Sequence, residues 1–375
     1  MTKRKKINIA QPSFLGNEKK YLVDTIDSGW ISSIGPYIEK FEAEFARYHG
    51  VKHAVATHNG TIALHLALVA AGITSGDEVI VPDFTFVATA NSVRYCNARP
   101  ILADVERDDW NLSPEAVTAN ITSKTKAIIP VHLYGNPARM NELRAIAKQY
   151  NLIIIEDCAE ALGAIYQGER VGTMGDIGCF SFFGNKIITT GEGGMCITNN
   201  DELAERMRIL RDHGMNRSKK YWYDLLGFNY RMTNMQAAVG LAQLEQIDSL
   251  LKTRDEIYRT YKNAFSRCKE IVLQENHHQL SVNWIFTLRM QGLSEEQRDA
   301  VMADLKAQNI DSRPVFYPIH QMDFYQNGDF FRSSPENSKL ISREGISLPT
   351  FIGLDHGDIE FIAETLIESL GNQRS

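Results

Sequence analysis

Between residues 51 and 158 short β-rich runs alternate with helix-patterned segments, and this alternation restricts the possible folds more than any other feature of the sequence. The runs are HAVAT (53–57), EVIVP (78–82), PILADV (100–105), AIIPVHLYG (127–135) and LIIIEDC (152–158). They begin roughly every 25 residues, the length of a strand, a crossover helix and two loops. Each is almost continuously apolar, as strands covered on both faces must be, so an α/β fold with a mostly parallel central sheet flanked by helices is expected. TIALHLALVAAG (61–72) and RMNELRAIAKQY (139–150) carry helical periodicity, the first closing on Gly72 as a C-cap. Two more strands are predicted at 178–183 and 194–198, then a helix over 201–214 with Asp201 as N-cap and Gly214 as its stop. The stretch 234–265 reads as one long helix bridging to a region of mixed pattern, with a strand at 284–290 and helices at 295–308 and 358–370. The expected organisation is a large α/β domain, residues 1–255 with an N-terminal arm, and a smaller C-terminal α+β domain, residues 256–375.

A chain of 375 residues suits two domains, and 43% hydrophobic with 23% charged residues is an ordinary globular composition. The net charge of −6 gives no field that would draw in nucleic acid. The basic run KRKK (3–6) has no apolar segment after it, so it reads as a solvated tail and not as a signal peptide. The longest apolar runs, such as LIII at 152–155, are strand-sized, and no membrane span is expected. Five scattered cysteines without CxxC or Cys/His spacing fit reduced thiols in a cytoplasmic protein, with no metal site.

In open α/β sheets ligands gather at the carboxyl ends of strands, and here those ends carry chemistry. HNGTIAL places Asn59, Gly60 and Thr61 at a helix start, which is either an ordinary capped helix or an anion cradle. DFTFVATA places Phe84 and Phe86 at the same edge, as core rings or as a stacking plate. LIIIEDC ends in Glu156 and Asp157, and a carboxylate there needs a partner, either a structural cation or a ligand. After the next strand come Ser181 and Lys186, the lysine set alone between FSFFGN and IITTGEGG with no further basic residue until Arg206. A phosphate cradle, an aromatic plate, a buried acid and an isolated lysine are together what pyridoxal phosphate requires. The chain has neither GxGxxG after its first strand nor GxxxxGK[ST], which argues against dinucleotide and P-loop sites.

EDCAEALGA, GDIGCFSFFGNKIITTGEGGM and NYRMTNMQAAVGLAQLE resemble the DegT/DnrJ/EryC1/StrS family of nucleotide-sugar aminotransferases. The resemblance runs from DSGWISSIGPYIEKFE to SRPVFYPIH and GISLP, nearly the whole chain. It implies a type I, aspartate-aminotransferase-like fold and pyridoxal 5'-phosphate as cofactor. It implies further that Lys186 is the Schiff-base lysine, that Asp157 faces the pyridine nitrogen, that Phe86 stacks on the ring, and that Gly60, Thr61 and Ser181 hold the phosphate. Asn229 of FNYRM is implied to come from a second subunit, hence a homodimer with shared active sites. Glu160 stands where many relatives have Gln or His beside the cofactor's phenolic oxygen; a carboxylate there repels a phenolate unless one of them is protonated.

The forms FFGNKIITTGEGGM, KYWYDLLGFNYRMTN and RPVFYPIHQM resemble one branch of that family, and this resemblance implies a GDP-linked 4-keto-6-deoxymannose aminated at carbon 4, with L-glutamate as donor, for a surface polysaccharide such as O-antigen. UDP- and dTDP-linked 4-keto-6-deoxy sugars remain alternatives. A dehydratase branch of the family carries histidine in place of the lysine, which this chain keeps. Tyr317, His320 and Arg231 are the candidate substrate contacts, with Trp30 and Ser32 behind them; the ordinary alternatives are interface packing for Tyr317 and His320 and a structural ion pair for Arg231.

Overall fold

Seven strands form one sheet: β1 (His53–Thr57), β2 (Glu78–Pro82), β3 (Arg99–Ala103), β4 (Thr125–Ile128), β5 (Ile153–Asp157), β6 (Ile177–Ser181) and β7 (Gly194–Thr198). The computed structural model describes residues 5–277, 280–326, 328, 330–332 and 334–374; Lys3 and Arg4 of the basic N-terminal run lie outside them. The spatial order is β1-β7-β6-β5-β4-β2-β3. Pairing is parallel from β3 through β2, β4 and β5 to β6, and β7 alone runs against its neighbours β6 and β1. The mostly parallel sheet read from the apolar runs is therefore present.

The strand period of two sorts this sheet into two cores. Ala54, Ala56, Ile80, Ile128, Ile154 and Phe180 join one apolar cluster, while Val55, Val79, Val81, Ala127, Ile155 and Cys179 join the other. Complete burial of each Val or Ile contributes about 1.5–3 kcal/mol, which is why runs with no polar face are stable here. Helix Gly60–Ala70 is buried on nearly all sides and ends as the sequence predicts, with Gly72 in the left-handed region at φ 83°.

Local expectations shift in four places. β4 stops at Ile128, because Pro130 has no N–H to continue a ladder; beyond it Val131 makes a single bridge to Asp157, and Leu133–Gly135 forms a tight turn with Tyr134 at φ 55°. The cap of helix Asp201–Arg211 is Asn200, not Asp201: its side chain accepts from the amides of Glu202 and Leu203. The helical stretch 234–265 is two helices, Asn234–Leu244 and Ile247–Ala264. The break falls where the first helix of the chain docks: Glu245 accepts from Asn17 and Tyr21, and Gln246 donates to Glu18. The strand expected at 284–290 starts only at Phe286, leaving Trp284 in the segment before it.

A second sheet orders Ile271–Leu273, Phe286–Met290, Gly345–Leu348 and Arg313–Pro314, all antiparallel. Its core draws Tyr261, Phe286, Leu288, Val301, Leu305, Ile346 and Leu366 from residues beyond 256. Ile7 of the N-terminal arm also enters this core and bonds to Asn309. The five cysteines are all unpaired, and among the described residues no helix is long and apolar enough to cross a membrane.

The end of β5 carries two acids with different surroundings. Glu156 is fully buried and accepts from the amides of Gly172 (2.7 Å), Met174 (2.7 Å) and Gly175 (2.6 Å) and from His132 Nε2 (3.0 Å). Its lone pairs are spent on holding the 172–175 turn against the sheet, so it is structural. Glu156→Ala should lower the unfolding free energy by about 3 kcal/mol or more, because buried donors lose their acceptor. Urea titration checks this, and an unchanged midpoint would contradict it.

Candidate active site

Asp157, the next residue, is placed differently. It is 5% exposed; Oδ2 accepts from Thr89 Oγ1 at 2.8 Å and Oδ1 from the amide of Ala159 at 3.1 Å. Among the described residues no Lys, Arg or His nitrogen pairs with it within 4.0 Å. Burial pushes its carboxyl up from the usual carboxylate range, only partly offset by those two hydrogen bonds and by the more distant charges of Lys186 and His132. A buried acid with this little compensation is a site prepared for a cation from outside the chain.

Lys186 lies on the loop after β6. Its side chain is 13% exposed, with Nζ 3.7 Å from Glu160 Oε1 and 3.6 Å from the centroid of the Trp284 ring. Burial lowers its pKa, against the pull of Glu160 and Asp157. Glu160 is 3% exposed, accepts from the Tyr134 amide at 2.7 Å, and is pushed up to about 7, chiefly by burial. Near neutral pH it is thus poised between carboxylate and acid, which bears on the repulsion that a fixed charge there would cause.

An aromatic column backs these groups. Trp284 stacks on Tyr134 (6.2 Å between centroids, 13° between planes) and Tyr134 on Phe316 (5.2 Å, 9°). Phe316 meets Phe86 at 6.0 Å and 53°. Phe86 is 56% exposed, one turn before the Thr89 that binds Asp157, so its ring is open to a ligand. Phe84, its companion in the sequence, is wholly buried.

The third part is the start of helix Gly60–Ala70. Asn59 caps it by accepting from the amide of Ile62, leaving the first amides, those of Gly60 and Thr61, at an N-terminus that favours anions. A Cβ at residue 60 would lie 2.7 Å from Ser181 Cβ, so glycine is needed for the helix start and the end of β6 to close on one another. Amides and hydroxyl converge from segments 120 residues apart in the chain. The residues present fit pyridoxal phosphate on this ground: an acid lacking a cation, an exposed ring, an anion cradle and a buried amine share one edge of the sheet.

The remaining candidates are held by protein partners. His320 Nδ1 donates to the buried Asp83 at 2.8 Å, and the His320 amide bonds to the same carboxylate, so the Asp83 pairing uses Nδ1 and not Nε2. Tyr317 is 43% exposed with its hydroxyl 3.4 Å from Arg298. Arg231 pairs with Asp212 at 2.6 Å and donates to Asn229 Oδ1 at 3.1 Å; this segment runs beside Thr57 and His58. Asn229 itself is exposed. Trp30 and Ser32 offer their carbonyls to Asn234. The sequence did not mark Thr89, Tyr134 or Trp284. Tyr134 had a signal, an aromatic residue before Gly135 in a run interrupted by proline; Trp284 had none.

The model of the DegT/DnrJ/EryC1/StrS aminotransferase family matches residues 13–367, and the chain belongs to that family. It is 48% identical over 369 residues to a GDP-perosamine synthase of Caulobacter vibrioides, covering 97% of this chain and 98% of that one. To a GDP-perosamine synthase of Escherichia coli O157:H7 it is 44% identical over 364 residues, with 97% and 98% covered. Among solved structures, a sugar aminotransferase of Streptococcus pneumoniae in its PLP form superimposes with a TM-score of 0.93 at 28% identity, covering 98% of this chain and all of that one.

The Glu160 shift has a pH signature. Because its folded-state pKa is raised above the unfolded value of 4.5, the folded state binds the extra proton between about pH 4.5 and 7, and stability falls as pH rises through that window. In the cofactor-free protein, wild type should lose up to about 3 kcal/mol relative to Glu160→Gln between those limits. Unfolding curves of the two proteins at matched pH test this; parallel pH profiles would remove the shift.

Proposed function

We propose that the chain transfers the amino group of L-glutamate to carbon 4 of GDP-4-keto-6-deoxy-D-mannose, giving GDP-perosamine and 2-oxoglutarate, with pyridoxal 5'-phosphate as cofactor. The observation that carries the chemistry is the buried amine of Lys186 beside Glu160, with a second buried acid, Asp157, close enough to feel its charge and yet not paired with it. The high identity to two GDP-perosamine synthases along the full length supports the choice of sugar and base. The product is proposed to enter a surface polysaccharide such as O-antigen, with the enzyme in the cytoplasm.

Burial keeps a larger share of Lys186 as free amine, the form that attacks a carbonyl and accepts a proton. Gly60, Thr61 and Ser181 would hold the phosphate, Phe86 would cover one face of the ring, and Asp157 would keep the proton on the pyridine nitrogen. When bound, pyridoxal phosphate supplies the electron sink for the carbanion left at the donor's α-carbon. Lys186 removes that proton and returns one on the substrate side, so glutamate is oxidised to its keto acid as the sugar ketone becomes an amine. His320 and Tyr317 are proposed to orient the sugar; Arg231, tied to Asp212, positions Asn229.

The chain is further proposed to act as a homodimer, each cofactor contacted by Asn229 of the partner subunit, with residues 1–255 forming the cofactor domain and 256–375 the smaller domain. Large apolar side chains left exposed, among them Leu15, Ile26, Trp30, Ile34, Trp222 and Leu226, support a covered face.

Lys186→Ala should abolish both the visible absorbance of the bound cofactor and amino transfer. Incubation with GDP-, dTDP- and UDP-linked 4-keto-6-deoxy sugars, read by mass, should give an amino sugar from the GDP substrate; a deoxy sugar as product, or preference for another base, would contradict the reading. Mixing inactive Lys186→Ala with an inactive Asn229→Ala variant should restore about a quarter of wild-type activity, since half the dimers then hold one intact site. No recovery on mixing would argue that each site lies within one chain.

A further inference from the structure

Trp284 has no part in the chemistry just described, yet its ring is among the nearest groups to the reactive amine. Nζ of Lys186 lies 3.6 Å from the ring centroid, within the range of a cation–π contact. The residue is 5% exposed and enters from the segment before strand Phe286–Met290 of the second sheet, not from the strand ends that bear Lys186, Asp157 and Glu160.

Trp284 is held from several sides. Its Nε1 donates at 2.7 Å to the carbonyl of Asn185, the residue before Lys186. Its own carbonyl accepts from the buried Arg254 at 2.7 Å, and its amide bonds to the Tyr134 carbonyl at 3.3 Å. The ring stacks on Tyr134, whose amide in turn bonds to Glu160. One residue thus bonds the backbone beside the lysine, lies against the amine, and connects through Tyr134 to the acid 3.7 Å from it.

We propose that the Trp284 face, with Glu160 as counter-charge, seats the Lys186 ammonium whenever that nitrogen is not bonded to the cofactor, and so sets how readily the amine gives up its proton. This rests on the reading of Lys186 as the attachment lysine. The groups that face the amine are Glu160 at 3.7 Å and Asp157 beyond it, with the Tyr134 phenol, also pushed up by burial, behind the indole. An acid alone can take the proton from the ammonium; an aromatic face attracts the cation and has no lone pair to accept it. Trp284 therefore holds the charged form in place until its proton goes to a substrate carbon. It is a positioning residue.

The test uses full-length protein stripped of cofactor: wild type, Trp284→Phe, Trp284→Leu and Lys186→Ala. Pyridoxal phosphate is added, and the rate at which visible absorbance appears is followed against pH, since capture requires the free amine. Losing the aromatic face removes stabilisation of the ammonium, so the midpoint for Trp284→Leu should fall by about one pH unit, with Trp284→Phe between it and wild type. Wild-type midpoints in both Trp284 variants, even with lowered melting temperatures, would overturn the proposal, because a purely structural tryptophan changes stability and not this titration. If Lys186→Ala still develops the band, the attachment reading fails and this proposal with it. Loss of the band in Lys186→Ala with an unmoved Trp284→Leu midpoint defeats the Trp284 role alone.

Discussion

An acid closed off at the end of a buried strand destabilises the fold unless something positive reaches it, and Asp157 is such an acid. The chain could have neutralised it as it does Glu344, which pairs with the buried Arg289. Instead it gives Asp157 a hydroxyl and an amide, both too weak to replace a cation, and sets the nearest lysine beside a different carboxylate. Much of the architecture serves this arrangement. The parallel sheet brings the ends of β1, β2, β5 and β6 to one edge; β5 carries the acid, β6 leads to Ser181 and Lys186, and β1 leads to the helix start at Gly60. Glu156, one residue earlier and bonded by four donors, ties the strand end to the 172–175 turn beside a neighbour that has hydrogen bonds but no paired cation.

The second sheet contributes through aromatic packing. Trp284 and Phe316, from the C-terminal part of the chain, sandwich Tyr134 of the first. Tyr134 adopts a left-handed backbone that few bulky residues tolerate, and it spends its amide on Glu160 and its hydroxyl on the Phe316 amide. The column therefore couples the position of the smaller unit to the acid and the amine. A shift of the second sheet would move the indole off Lys186 and the ring of Phe316 away from Phe86.

What the sequence made legible follows from the range of the interactions. Continuous apolar runs and strand-end polar residues are local patterns, so the sheet, Lys186, Asp157 and the glycine at 60 could be read directly. The resemblance extended that reading to Phe86 and Ser181. Thr89 and Trp284 could not be found this way, because what distinguishes them is contact with residues 68 and 98 positions away. The break at Glu245 is likewise a tertiary effect, imposed by Asn17 and Tyr21 on a stretch with helical pattern throughout. The strand-end pattern alone did not separate the two carboxylates of β5; the resemblance pointed to Asp157, and the amides of the 172–175 turn give the physical reason why Glu156 is the structural acid.

Asp157, buried and without a paired cation, is proposed to hold a proton on the ring nitrogen of the cofactor. Nitrogen-15 NMR of protein reconstituted with ring-labelled pyridoxal phosphate reads that proton directly. The chemical shift of a protonated pyridine is expected at neutral pH in wild type and that of an unprotonated one in Asp157→Asn. An unprotonated ring in the wild-type protein would contradict it.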